Sequence, residues 1–476
     1  MEPGTGTVYL HLMTLVDLFH ILWTLGVALV LFSITVFVHE LGHFLAARRY
    51  GLHVERFAIG MGPKLFGFRW RGVDYVFNWL PIGGYVALPQ MAPMEAVEGK
   101  SDPAVKNLPP VSPWAKIVTA FWGPLFSFLL ACLLSVGVWY FGKPERPNFQ
   151  TTTIGFIRPD SPAQQAGLRP GDKILTIDGQ PVTRWMGGNE GVLEAIIFSR
   201  GQTISLTISR EGEGELNFEI LPIRAQEMEG LRQIGIGPME PLVVDRVLPH
   251  SPAAGAGLLP GDMIVAVDGQ KVFSTEQVRA LVTSAPGPVE LTLQRGSDII
   301  RVNLQPVIPN GTDRPMIGVQ WRPPDPIISH PLPWVQIKDS ALVIKRTLGA
   351  VVDTRSEVGV QHLSGPVGIF DMIMRLLRYD PMQVMSFFVI LNVNLAILNL
   401  LPIPILDGGH ILFSLAELIS RRPVPLRIIQ SLHLGFFVLL IGLFLFITFH
   451  DVRRKTADLR EKNDQPEIEF RTQENP

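Results

Sequence analysis

Four long apolar stretches constrain the fold of this chain more than any other feature of its sequence. They lie at about 21–46, 115–141, 382–401 and 425–449, and each is long enough to cross roughly 30 Å of hydrocarbon as a helix. Because lipid offers exposed backbone groups no hydrogen bonds, spanning segments of this kind fold as helices. Only 18% of the residues are charged. The sequence therefore predicts a polytopic α-helical membrane protein with about four transmembrane helices.

The charge balance and the cysteine content exclude several classes of function. The formal net charge is -2, and no Lys/Arg-rich stripe or tail of the size that nucleic-acid binding requires is present. We therefore exclude nucleic acid as a partner. The single cysteine, Cys132, lies in an apolar run and can form neither an internal disulfide nor a multi-cysteine metal site.

Basic residues predict the orientation in the membrane. The loop from 48 to 116 is rich in Lys and Arg, which places it in the cytoplasm by the positive-inside rule. Both chain ends and the long segment between the second and third spans then lie outside. Arg421 and Arg422 agree with this orientation, whereas the basic residues at 453–455 disagree. No Lys or Arg precedes the first span, unlike a secretory signal, so we expect that span to be retained.

The segment between the second and third spans contains a direct repeat. Residues 161–180, SPAQQAGLRPGDKILTIDGQ, recur at 251–270 as SPAAGAGLLPGDMIVAVDGQ. A period this long indicates two whole domains rather than solenoid units. Each copy predicts a short helix after Ser-Pro, a turn at Pro-Gly-Asp and a strand that ends at Asp-Gly.

Each copy of the repeat resembles the bacterial PDZ domain, an α+β fold. The first domain is predicted at 150–238 and the second at 239–325. Domains of this type bind an extended peptide or a free carboxyl terminus by adding it as a strand. By their position in that fold, 154–157 and 243–246 are the candidate binding edges. Only the first contains a glycine suited to a carboxylate-binding loop, Gly155.

The segment from Val38 to His43 carries the pattern HELGH. Residues four apart share a helix face, so His39 and His43 can bind one zinc ion while Glu40 reaches the water held there. Ionisable groups on an apolar helix cost several kcal/mol unless they pair or bind metal. This favours a catalytic zinc site over histidines satisfied by neighbouring helices. Gly42 either leaves room for metal or substrate or serves close helix packing.

Two histidines leave a catalytic zinc short of a third protein ligand. The best remaining carboxylate is Asp407, in the stretch 399–410, NLLPIPILDGGH. Two prolines break the third span there, and a glycine pair frees the backbone behind the aspartate. From the residues alone, a turn or helix-cap role for Asp407 is as well supported as a ligand role.

Taken together, the motifs resemble the site-2 protease family of intramembrane zinc metalloproteases, and more closely its bacterial regulator of sigma-E protease branch. The resemblance rests on HELGH near the amino terminus, the late Asn399-to-Asp407 stretch with its glycine pair, and the tandem PDZ domains between them. Further matches span nearly the whole chain in order: 57–64 (FAIGMGPK), 81–86 (PIGGYV), 123–124 (GP) and 363–369 (LSGPVGI).

The resemblance implies one Zn²⁺ per chain, bound by His39, His43 and Asp407, with Glu40 as general base and acid. It also implies, in the bacterial inner membrane, envelope-stress type cleavage of the transmembrane segments of single-span proteins, such as anti-sigma factors or signal-peptide remnants, already trimmed by another protease. Asn399 matches a position that holds unwound substrate backbone, and a helix–helix hydrogen bond is the alternative.

Three further positions near the motifs are expected to have roles other than metal binding. His410 follows the proposed ligand set, which already leaves a fourth position for water, so we expect a supporting role. Ser127 stands where the family has asparagine, and Ala87 stands where lysine is common. We expect neither of these two to touch the metal site, so that both departures affect substrate handling.

The remaining segments complete the domain plan. A turn flanked by the apolar segments 64–70 and 75–80 predicts a membrane-associated β-hairpin. It belongs to the first domain, 1–142, which also holds the first two spans and the HELGH motif. The hairpin edge either pairs with unwound substrate or packs without contacting it. Region 330–380 predicts interfacial amphipathic helices at 334–349 and 366–378. The last two spans with the third ligand occupy 381–450, and the acidic, polar tail 451–476 favours disorder.

Two other functions remain open. A membrane-anchored PDZ adaptor with an inactive zinc site would bind envelope proteins without cutting them. A metal transporter is less favoured, since only one ligand cluster is visible and no second set marks a path across the membrane.

Overall fold

The structure is a computed structural model that describes residues 15–91, 108–225, 230–353 and 356–463. The chain divides into two compact units. The helical unit comprises Met1–Lys143, His330–Ala341 and Ser364–Asp451, and the repeat unit comprises Pro144–Ser329, Leu342–Leu363 and Val452–Pro476.

The helices and strands are numbered in chain order. Helices α1 to α11 run over Leu15–Arg49, Pro113–Phe141, Pro162–Gln165, Val192–Ile197, Pro252–Gly255, Thr275–Ser284, Pro333–Val352, Pro366–Tyr379, Pro381–Asn399, Asp407–Ser420 and Leu426–Asn463. Strands β1 to β18 run over Arg56–Trp70, Val73–Ala87, Lys143–Glu145, Ile154–Ile157, Lys173–Ile177, Gln180–Pro181, Ile204–Arg210, Gly214–Ile220, Ile223–Ala225, Leu231–Gln233, Ile236–Pro238, Val244–Val247, Met263–Val267, Gln270–Lys271, Val289–Arg295, Asp298–Leu304, Val319–Trp321 and Ile327–Ser329.

Within the described residues, four helices are long and apolar enough to cross a membrane, which confirms the predicted spans. They are Leu22–Arg49, Pro113–Phe141, Pro381–Asn399 and Leu426–Thr456. In the helical unit α2 packs against α1, α9 and α10. The helix α2 therefore lies at the centre of the packing, next to both elements that carry candidate ligands.

The expected disorder after residue 451 is wrong for the first part of the tail. Helix α11 continues to Asn463, and the rest of the predicted tail lies outside the described residues. Extending an existing helix adds hydrogen bonds without a new nucleation step. The Arg, Lys, Ala and Leu residues that follow the span also favour helix.

The predicted hairpin is present and is larger than expected, since β1 and β2 extend from Arg56 to Ala87. Residues 56–59 pair on one side with 74–77 and on the other with 84–87, and the register of β1 and β2 is irregular in this part. Segment 84–87 is thus an outer strand. The far end of the hairpin exposes large apolar side chains: Leu65, Phe66, Phe68, Trp70 and Trp79.

The repeat unit contains two sheets of the same design. The strand orders are β6-β5-β7-β8 and β14-β13-β15-β16, and all neighbours are antiparallel. As predicted, the short helices α3 and α5 begin after Ser161 and Ser251, whose hydroxyls accept the helix's N–H bonds. Asp178 and Asp268 have positive φ at the predicted turns.

Each repeat also holds a buried aspartate with an arginine. Arg210 donates to Asp172 through Nε (2.7 Å) and Nη2 (2.8 Å), and Arg295 donates to Asp262 at the same two distances. The backbone N–H three residues before each aspartate is a third donor, at 2.8 Å. These carboxylates tie the Pro-Gly-Asp turn to the sheet.

The predicted peptide-binding edges are not free. Strand β4 pairs with β11, and its other side bonds to the loop at Gly171 and Asp172. Gly155 is buried, and its carbonyl accepts a hydrogen bond from Ser274 Oγ at 3.0 Å. Strand β12 is likewise paired with β17. In both domains a later strand of the same domain pairs with the candidate edge, and peptide binding there stays a prediction.

Candidate metal centre

His39 and His43 lie on one face of α1, as their spacing predicts. Each residue is only 8% exposed, and their Nε2 atoms are 3.3 Å apart. Both imidazoles therefore present the same ring nitrogen to one point beside the helix.

Asp407 brings a carboxylate to that point from the other end of the sequence. Its Oδ2 lies 3.2 Å from His39 Nε2 and its Oδ1 lies 3.3 Å from His43 Nε2. The break between α9 and α10 makes Asp407 the first residue of α10, where the helix dipole favours a negative charge. Of the two roles left open by the sequence, the geometry supports the ligand.

The three donor atoms fit a zinc ion. Tetrahedral zinc binds imidazole nitrogen and carboxylate oxygen at about 2.0–2.1 Å, which gives a ligand-to-ligand edge of roughly 3.3–3.4 Å. The observed separations are 3.2 and 3.3 Å. Among the described residues these three alone form a metal-ligating cluster. Two histidines and one carboxylate leave the fourth position open, as a catalytic site requires.

Partners on α2 hold both imidazoles. His39 Nδ1 lies 2.9 Å from Ser127 Oγ, and His43 Nδ1 lies 2.8 Å from the carbonyl oxygen of Thr119. Such contacts direct the other nitrogen, Nε2, toward a metal. The expectation that Ser127 does not touch the site is wrong, because the packing of α2 on α1 faces this hydroxyl toward His39. Ala87 instead pairs with Arg56 in the sheet.

Two glycines allow this close packing. A Cβ at Gly42 would lie 2.2 Å from the carbonyl oxygen of Trp122, and a Cβ at Gly123 would lie 2.1 Å from His43 Nε2. Gly42 therefore serves close packing of α1 on α2 rather than leaving room for metal or substrate. Gly123 leaves the space that the His43 imidazole fills.

Glu40 faces the same site through a cavity of about 540 Å³. His39, His43, Asp407 and Asn399 also line it. Gly84 packs beside Glu40, since a Cβ at Gly84 would lie 3.4 Å from Glu40 Cγ. The outer segment 84–87 of the hairpin thus borders the cavity beside the side chain expected to act as the base.

The other predicted residues lie in two places, the cavity and the repeat unit. Asn399 is the last residue of α9 and lines the cavity, so it lies with the ligand group. His410 also lines the cavity but is not part of the ligand cluster, in agreement with a supporting role. Gly155 belongs to the repeat unit, and its role in peptide binding stays a prediction.

Sequence reasoning missed one residue, His433 in α11. It is 4% exposed, and its Nε2 lies 2.5 Å from the carbonyl oxygen of Pro404, in the loop that leads to Asp407. The available signal was a lone histidine inside the last apolar span, where ionisable side chains are costly.

The chain is similar to one protein family, to curated relatives and to a solved domain. The model of peptidase family M50 matches residues 27–443. The regulator of sigma-E protease RseP from Salmonella typhimurium is 31% identical over 90% of the chain and 99% of its own length. A relative from Xylella fastidiosa, named provisionally as a zinc metalloprotease, is 30% identical over 89% and 97%. The solved PDZ domain of an SdrC-like protein from Listeria monocytogenes covers 17% of the chain at 22% identity, with a TM-score of 0.16.

Proposed function

The chain belongs to peptidase family M50 and is an intramembrane zinc metalloprotease, and from this premise we propose which residues perform the cleavage. His39, His43 and Asp407 hold the zinc ion, and Glu40 is the general base and acid. The observation that carries this assignment is the mutual separation of the three donor atoms, 3.2 to 3.3 Å, with Glu40 lining the same cavity.

The residues divide the chemistry between them. When bound, zinc makes a water molecule more acidic and polarises the scissile carbonyl. Glu40 accepts the proton of the attacking water and passes it to the leaving amide nitrogen. Gly84 of the hairpin packs beside the Glu40 side chain, while Ser127 and Thr119 fix the two imidazoles. Orientation is thereby set before the substrate enters.

A helical substrate must unwind before any peptide bond reaches this site. Each backbone group left unpaired in lipid costs several kcal/mol. Segment 84–87 pairs with 56–59 on one side and borders the cavity through Gly84, Tyr85 and Val86. We assign it the role of binding the unwound chain as an added strand, with Asn399 as a polar contact on the opposite element. The alternative is a hairpin that only packs.

The domain order suggests which substrates reach the site. The repeats are taken as two PDZ domains on the extracytoplasmic side, with both chain ends, of a multi-pass protein of the bacterial inner membrane. They admit single-span proteins already trimmed by another protease, and they bind an extracytoplasmic peptide or carboxyl terminus. The name of the Salmonella relative refers to sigma-E regulation, which suggests membrane-bound anti-sigma factors as a substrate class.

Cleavage of a model single-span substrate by the purified protein in liposomes tests this proposal. Wild type is compared with Glu40→Gln and with wild type treated with a zinc chelator. We expect cleavage by wild type alone, and recovery after zinc is added back to the chelated sample. No cleavage by zinc-loaded wild type across several trimmed substrates would favour an inactive PDZ adaptor.

A further inference from the structure

His433 makes a contact that the cleavage chemistry does not use. Its Nε2 lies 2.5 Å from the carbonyl oxygen of Pro404, and because a carbonyl oxygen only accepts hydrogen bonds, we assign the proton to this nitrogen. Its Nδ1 has no hydrogen-bond partner among the described residues. The imidazole is therefore a donor to one backbone carbonyl, buried in the last span.

Packing alone does not account for a histidine at this place. The ring contacts His410 and Phe413, with centroids 5.7 and 6.0 Å away. A phenylalanine would make the same contacts without a buried nitrogen that lacks a partner, which costs free energy in an apolar surrounding. The feature that only the histidine supplies is the N–H donated to Pro404.

The loop that receives this hydrogen bond has little regular structure of its own. It joins α9 to α10, and its prolines at 402 and 404 offer no N–H. Two internal bonds hold it, from Ile403 N to Leu401 O and from Leu406 N to Ile403 O. Gly409 lies against it so closely that a Cβ would be 2.4 Å from the Ile403 carbonyl oxygen. The Pro404 carbonyl lies three residues before the proposed ligand Asp407.

We propose that His433 is a positioning residue that holds the 400–406 loop so that the Asp407 carboxylate reaches both histidines. The inference rests on the proposed metal ligands and extends the site to α11, which supplies no ligand. The His433 N–H fixes the loop at the carbonyl of its second proline, Pro404, and only Ile405 and Leu406 separate this point from Asp407. Loss of the donor lets the loop shift and lowers the affinity for metal.

Three substitutions separate the donor from the shape of the side chain. His433→Phe keeps a ring without the N–H. His433→Gln keeps an amide N–H at a similar reach, and His433→Asn keeps the amide but is one methylene shorter. His450→Phe is the matched control, since His450 lies on the same helix and its Nδ1 contacts only the carbonyl of Phe446 in its own preceding turn.

Two measurements on the full-length protein in detergent report the metal site without catalysis. Competition with a chromophoric chelator gives the zinc affinity, and the visible absorption of the Co²⁺-loaded protein reports ligand geometry. We expect His433→Phe and His433→Asn to lose about 10-fold in zinc affinity, the lower end for residues that orient ligands, and to change the cobalt spectrum. His433→Gln and the control keep both properties near the wild-type values.

Several outcomes would overturn the inference. Zinc affinity and cobalt spectra equal to wild type in His433→Phe would show that the donor does not position Asp407. If His433→Phe fails to fold, equal affinities in the Gln and Asn variants would have the same meaning. A lowered melting temperature of the metal-free protein with unchanged metal affinity would assign His433 to stability alone. Failure of wild type and control to bind zinc would instead remove the proposed function itself.

Discussion

Carboxylates with several partners occur in two regions of this molecule, and their surroundings differ. In the repeats, the Asp172 and Asp262 side chains are 1% exposed, and each meets two arginine nitrogens and a backbone N–H. In the helical unit, the Asp407 side chain is 18% exposed, faces two imidazoles and borders a cavity. A carboxylate with all its partners within the fold serves stability, whereas one that shares its partners with an open cavity is available for chemistry.

The repeats show how a complete set of hydrogen-bond partners changes the pKa of a carboxyl group. Arg295 and the Leu259 N–H hold the pKa of the Asp262 carboxyl below its usual range, since both stabilise the charged form. The proposed metal ligands are arranged differently. Their donor atoms converge on one point, where a bound cation would stabilise all three.

Filling the space beside His43 gives the largest expected effect. In Gly123→Ala the new Cβ would lie 2.1 Å from His43 Nε2, so the imidazole must leave its position. We expect a loss of zinc affinity of at least about 100-fold, the upper end for a displaced ligand environment, and loss of cleavage. The free energy of unfolding of the repeat unit stays unchanged. Gly435→Ala on α11, where nothing lies within 4 Å, is the control and should bind zinc normally.

Breaking a fully paired carboxylate in the repeats should lower the free energy of unfolding without affecting the metal site. Arg210→Met leaves Asp172 buried without its cation, which costs about 3 kcal/mol of unfolding free energy, measured by denaturant unfolding of the full chain. Zinc affinity should not change. The control Arg169→Met removes an exposed pair with Glu213 and should cost less than about 1 kcal/mol. Equal losses in both variants would contradict the contrast between the two kinds of ion pair.

A smaller effect on zinc affinity is expected when the hydrogen-bond partner of the His39 imidazole is removed. Ser127→Ala removes the partner of His39 Nδ1, and we expect zinc affinity to fall about 10-fold in chelator competition. Ser135→Ala is matched, because Ser135 is also buried in α2 but its hydroxyl bonds to the Cys132 carbonyl. An unchanged affinity in Ser127→Ala would show that helix packing alone orients His39.

The smallest expected effect is a pH dependence confined to the repeats. The pKa of Asp262 is lower in the folded than in the unfolded chain. Its contribution is therefore fully present above the unfolded value of about 3.9 and is lost as the pH falls through the lower folded value. Asp262→Asn should be less stable than wild type at pH 7, and the difference should shrink below about pH 4. A difference that stays constant down to pH 2 would contradict this assignment.

Local patterns predicted much of this architecture. The length of the apolar stretches predicted the four spans, and the spacing of His39 and His43 predicted that they share a helix face. The repeated Ser-Pro and Pro-Gly-Asp signals located short helices and turns. The resemblance to a known family selected Asp407 from alternatives that local reasoning left equal. All of these depend on neighbouring residues or on motif order.

Apart from the tail, where helix α11 continues to Asn463, the features that sequence reasoning missed depend on contacts between distant residues. Whether Ser127 faces His39 is set by how α2 rotates against α1, and nothing near Ser127 encodes that angle. Likewise, the sequence of strand β4 cannot show that β11 pairs with it or that Ser274 donates to the Gly155 carbonyl. The contact of His433 with Pro404 joins two elements with no shared pattern.

Zinc content measured on purified Glu40→Gln and Asp407→Ala proteins tests the central claim most directly. The account predicts about one zinc per chain in wild type and in Glu40→Gln, which does not cleave, and little zinc in Asp407→Ala. That result would separate the ligand role from the base role. Full zinc occupancy in Asp407→Ala, or cleavage by Glu40→Gln at the wild-type rate, would contradict it.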